Sequence, residues 1–100
     1  MMENIKSEHA DYLFEAILSL ENIEECYRFF DDLCTIAEIT AMSKRLLAAK
    51  MLREGEVCNE VSAKTGQSTA TISRVNKCLK YGSNGYNIVL GRLGEAKSNG

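Results

Sequence analysis

The sequence predicts an all-α protein of about six helices, on three observations. Proline is absent from all 100 residues, and Ala, Leu, Glu and Lys are abundant. Those residues favour helix, and the missing proline argues against a turn-rich sheet protein. Apolar positions also recur at three- and four-residue spacing along most of the chain. With 45% hydrophobic and 26% charged residues and no low-complexity tract, the composition is that of an ordered globular protein.

The first helix is predicted over residues 11–20, where Leu13, Ala16, Ile17 and Leu20 form a stripe widened by Tyr12, Phe14 and Leu18. Ser19 or Glu21 marks the break. A second helix follows in ENIEECYRFFDDL, with Ile23, Cys26, Tyr27, Phe30 and Leu33 on its face and Glu24 and Glu25 suited to an N-terminus. The third spans TIAEITAMSKRLLAAKMLREG. Thr35 with Glu38 three residues on has capping-box spacing, and Gly55 is a C-terminal stop. Its apolar residues Ile36, Ile39, Met42, Leu46, Leu47, Ala49, Met51 and Leu52 cover more than one face. A chain this short supplies little cover for such a helix, so a second copy is expected to cover part of it and the protein to be a homodimer.

A short helix over 59–64, a turn at Thr65-Gly66-Gln67 and a helix over 68–80 come next. The last of these aligns Ile72, Val75 and Leu79 on one face and leaves Thr69, Thr71, Ser73, Arg74, Lys77 and Lys80 largely outside it. Gly82 and Ser83-Asn84-Gly85 stop it. A final helix over 86–93 is expected to pack Ile88, Val89 and Leu93, with the tail EAKSNG frayed. The chain reads as one domain, with a helical dimerisation core over 5–55, a helix-turn-helix over 56–81, and a C-terminal helix and tail over 82–100.

Charge is divided along the chain. Net charge is -2, but residues 1–38 hold ten acids against two bases, and residues 39–100 hold ten bases against four acids. A polyanionic partner is therefore compatible with the second part of the chain despite its acidic total. Two helices joined by a tight turn with glycine are the helix-turn-helix signature, whose second helix enters the DNA major groove. Double-stranded DNA is the expected partner. Gln67, Ser68, Thr69, Thr71 and Ser73 can exchange hydrogen bonds with base edges, and Ala70 can touch a thymine methyl. Arg74, Lys77, Lys80 and, from the preceding helix, Lys64 are placed to meet phosphates. The same two helices could instead bind a partner protein, and a solvated cationic face or simple capping by Ser68 would leave a similar pattern.

Other classes find little support. There is no glycine-rich phosphate loop, the single His9 stands near the N-terminus, and the carboxylates are spread over amphipathic helices, so no enzyme is expected. The cysteines Cys26, Cys34, Cys58 and Cys78 contain no Cys-x-x-Cys pair, so no metal site is expected and reduced thiols are. No apolar run approaches the ~20 residues that cross a bilayer, and acids interrupt the start of the chain where a signal peptide would be apolar, which predicts a cytoplasmic protein without a membrane partner.

The run Ala70-Thr71-Ile72-Ser73-Arg74 resembles the Ala-Thr-Ile-Thr-Arg run of the recognition helix in the Trp repressor family, and the segment from Leu33 to Lys80 resembles that family's DNA-binding core. The ending LKYGSNGYNIVLGRL is similar to the Trp-repressor-related YerC/YecD branch. The resemblance implies an all-helical, intertwined homodimer whose paired recognition helices read two half-sites. It also implies an effector pocket between the central and recognition helices, onto which Thr35, Arg45, Thr71 and Arg74 fall. Two positions depart from the family pattern: Val75 stands in place of a glycine and Cys78 in place of a serine. A β-branched side chain at the first removes a close backbone approach. The expectation is no resident cofactor, and either an amino-acid-like effector other than tryptophan or a pocket that Val75 fills permanently.

Overall fold

The computed structural model describes residues 2–99, with side chains to Gly94. Six α-helices follow a 3-10 turn at Met2–Asn4: α1 (Glu8–Leu18), α2 (Ile23–Leu33), α3 (Ile36–Arg53), α4 (Cys58–Thr65), α5 (Thr69–Tyr81) and α6 (Gly85–Asn99). No strand occurs among the described residues, in line with the all-α class the sequence predicts. The chain forms two compact units, Met1–Thr40 and Ala41–Gly100, so that α3 crosses the boundary.

In the first unit each helix start is capped by a short polar side chain. Ser7 accepts from the Ala10 N–H at 3.0 Å, and Asn22 Oδ1 accepts from the Glu25 N–H at 2.8 Å while the Glu25 carboxylate reaches back to the Glu21 N–H. These contacts satisfy donors that the first helical turn leaves without partners. Ser19 ends α1, its Oγ donating to the Ala16 carbonyl at 2.6 Å. Phe29 and Phe30 meet edge to face at 5.5 Å. Yet no described side chain up to Thr40 is buried. Leu18 is 83% exposed, Ile36 82%, and Tyr12, Ile23 and Tyr27 75% each.

Helix α3 opens on the reciprocal box its sequence predicts: the Thr35 N–H donates to Glu38 Oε1 at 2.9 Å and the Glu38 N–H to Thr35 Oγ1 at 3.1 Å. It closes at Gly55, whose φ of 99° lets its own N–H reach the Leu52 carbonyl and the Glu56 N–H reach that of Met51, both at 3.1 Å. This paired closure uses a left-handed residue that a side chain would strain.

The core of the second unit lies on both sides of α3. Ala48 packs with Val61 of α4 and Ile72 of α5, ringed by Met51, Leu52 and Cys58. Ala49, the next residue, packs with Val75 of α5 and Leu90 of α6, ringed by Leu52, Leu79 and Tyr86. Two adjacent alanines thus let three helices approach one, and both are fully buried. Asn87 joins the ends of α5 and α6 by donating to the Leu79 carbonyl at 3.1 Å. The buried face of α6 differs from the one expected. Leu90 is buried, whereas Ile88, Val89 and Leu93 are each about half exposed. α6 also runs past Leu93 in its backbone to Asn99; the side chains of the EAKSNG tail lie outside the described residues.

Candidate nucleic-acid interface and cleft

Helices α4 and α5 are joined by a turn in which Gly66, at φ 73°, caps α4 by donating its N–H to the Ser62 carbonyl at 3.0 Å. Only glycine adopts that backbone without cost, so the sequence signal and the geometry agree here. The turn is also stitched by side chains. Ser62 Oγ donates to the Gln67 carbonyl at 2.6 Å, and the buried Thr65 donates to the Val61 carbonyl at 2.7 Å. Val61 and Ile72, both fully buried, fix the two helices against Ala48.

On the outer face of α5 and its cap, Ser68, Thr69, Ala70, Ser73, Arg74, Lys77 and Lys80 are exposed and Thr71 is half-buried. Ser68 accepts from the Thr71 N–H at 3.2 Å and its Oγ donates to Thr71 Oγ1 at 3.0 Å, so these two hydroxyls are engaged with each other. Gln67 is half-buried rather than outward, and its Oε1 is buried without a hydrogen-bond partner. Arg74, Lys77 and Lys80 have no carboxylate partner among the described residues. Lys64 does: its Nζ lies 2.5 Å from Glu56 Oε1. That hydrogen bond, followed by the Coulomb attraction of Glu56 and of Glu60, holds the ammonium above the usual lysine pKa.

Behind this face lies a cleft of about 380 Å³ lined by Arg45 of α3, by Thr71, Arg74, Val75 and Cys78 of α5, and by Tyr86 of α6. Five of the six residues expected at an effector pocket are thereby brought together. Thr35 is not among the lining residues; its hydroxyl and N–H serve the α3 cap. Val75 is 2% exposed and packs on Ala49 and Leu90. Two guanidinium groups and a hydroxyl converge on one volume, a donor set suited to a small anion. Tyr86 carries no sequence signal of such a role, because an aromatic after an Asn-Gly turn reads as ordinary core. A second groove, about 470 Å³, has Leu90 and Leu93 with Lys50, Arg53, Glu54 and Gly94 around it. All four cysteines are free thiols and half-buried. No helix among the described residues is long and apolar enough to cross a membrane.

A capped central helix carrying a helix-turn-helix, with a two-arginine cleft behind the second helix, defines a class of small all-helical helix-turn-helix proteins. Within it, the chain belongs to the Trp repressor family, a family of regulators whose model, described as Trp repressor protein, matches residues 8–94. It is 50% identical over 97 residues to the uncharacterized protein YerC of Bacillus subtilis (strain 168), covering 97% of this chain and 93% of that protein. Among solved structures it is similar to a TrpR-like protein from Eubacterium eligens ATCC 27750, with a TM-score of 0.87 and 51% identity over 92% of this chain and 95% of the other. A candidate Trp repressor from Staphylococcus aureus gives a TM-score of 0.88 at 47% identity, covering 94% of each chain.

Proposed function

We propose that the chain is a sequence-specific DNA-binding transcriptional regulator that acts as a homodimer. The observation that carries this reading is the outer face of α5: hydroxyl side chains at its N-terminal end and three cations without carboxylate partners further along, on a helix whose attitude is fixed by the Gly66 turn. Membership of the Trp repressor family supports it. Small residues at the helix start allow close approach to base edges, and Lys77 and Lys80 serve the phosphates, joined by Arg74 where its guanidinium is not engaged in the cleft. A second copy is the natural cover for the exposed apolar residues of α1 and α2, since burying them gains about 25 cal/mol per Å² of apolar surface. Residues 5–55 then form the dimerisation core, with the helix-turn-helix over 56–81.

Effector control is assigned to the cleft. Arg45 and Arg74 would hold the acidic group of a small amino-acid-like molecule between α3 and α5. Val75, already committed to the core beside Ala49, denies that molecule the close backbone approach a glycine would give. Tryptophan is therefore not the favoured ligand.

Selection from random duplexes, with and without a pool of amino acids, tests the reading. A two-fold symmetric enriched site with half-sites about 34 Å apart is the expected result. No enriched sequence, together with affinity that stays flat between low and moderate salt, overturns it.

A further inference from the structure

Gln67 stands immediately before Ser68, the residue that caps the recognition helix. Its backbone is held by α4 on both sides: Ser62 Oγ donates to its carbonyl at 2.6 Å, and its N–H points to Thr65 Oγ1 at 3.4 Å. Its side chain is not held. Oε1 is buried and accepts no hydrogen bond from any described residue. The hydroxyls of Ser62, Thr65 and Ser68 donate to the Gln67 carbonyl, the Val61 carbonyl and Thr71 Oγ1 in turn, so none of these three gives its proton to this oxygen. A buried amide oxygen without a donor has lost its water hydrogen bonds and gained nothing in return, which disfavours the inward pose against any pose that supplies one.

We propose that Gln67 is the residue by which this protein reads an adenine in each half-site. The inference rests on the DNA-binding function proposed above. Rotated outward about its own side-chain torsions, the amide matches the major-groove edge of adenine: Oε1 accepts from N6–H and Nε2 donates to N7. Guanine offers two acceptors on that edge and would set Oε1 against one of them, so the pairing discriminates. Because Ser62 and Thr65 anchor the backbone, the rotation leaves the turn and the helix start where they are.

Random duplexes selected in parallel by the wild-type protein and by Gln67→Met test this. Methionine keeps the length and apolar volume of the side chain and removes the amide. Wild-type sites carry adenine at one position of each half-site, preferred about 5- to 150-fold over the next base. With Q67M that preference disappears while the remaining positions stay selected, and the variant melts at or above the wild-type temperature because the unpaired oxygen is gone. The proposal is overturned if Q67M selects the wild-type site unchanged, if the base whose preference is lost is not adenine, or if Q67M melts below wild type. A wild-type protein that enriches no sequence removes the DNA-binding function itself, a result distinguishable from the loss of one base.

Discussion

Lys64 Nζ donates to Glu56 Oε1 at 2.5 Å, so the cation at the end of α4 is shared with a carboxylate just past the end of α3. A phosphate approaching Lys64 must compete with Glu56. Glu56→Gln is expected to tighten binding to any DNA about two- to threefold at low salt, with the gain fading as salt screens it. Fluorescence anisotropy over a salt series measures this. The raised Lys64 pKa also gives a sign: its contribution to stability is complete below the ordinary lysine pKa and is lost as pH rises through the folded-state value. Melting curves of E56Q should therefore lose part of the alkaline dependence of the wild type.

Lys77→Ala and Lys80→Ala should each weaken binding almost equally for specific and unrelated duplexes. The slope of log affinity against log salt should become less steep by about 0.9 for every phosphate contact removed. Titrations at four or five salt concentrations decide it, and unchanged slopes would remove those lysines from the interface.

Val75 is buried between Ala49 and Leu90 while one side of it lines the cleft. Val75→Ala should cost about 2 kcal/mol of folding stability, read as a lower denaturant midpoint at constant slope. The same change enlarges the cleft. Calorimetry with tryptophan should then detect binding to V75A that is weaker or absent in the wild type.

The Glu38 carboxyl is held below the usual carboxylate range, first by the Thr35 backbone N–H and then by the Thr35 hydroxyl. A depressed pKa contributes stability that is present above the unfolded-state value and is lost as pH falls through the folded-state value. Glu38→Gln should therefore lower the melting temperature slightly at neutral pH and flatten its acid limb, the variant and the wild type converging below the folded-state value. Circular dichroism melts across the acid range measure it.

The parts of this protein that were legible in the sequence are those set by neighbours in the chain. Thr35 with Glu38, Gly55, Gly66 and Ser68 each act within five residues of themselves, and each performs in the structure the role its spacing announces. The gathering of Arg45, Thr71, Arg74, Val75 and Cys78 around one cleft was legible through the family resemblance of the recognition helix. The packing of α6 was not. Tyr86, Ile88, Val89, Leu90 and Leu93, broken by Gly91, offer apolar groups on several faces, so periodicity names no preferred one.

The sequence by itself therefore determined the helices, their caps and stops, the helix-turn-helix and the division of charge, because hydrogen-bond capping, glycine φ and local composition act over one or two turns. Only the tertiary structure decided which apolar residues are core, that Leu90 and not Ile88 meets Val75, that Tyr86 walls the cleft, and that Gln67 turns its amide inward. The packing of the core depends on the close approach of α4, α5 and α6 to the paired alanines of α3, a contact between segments that no local pattern specifies.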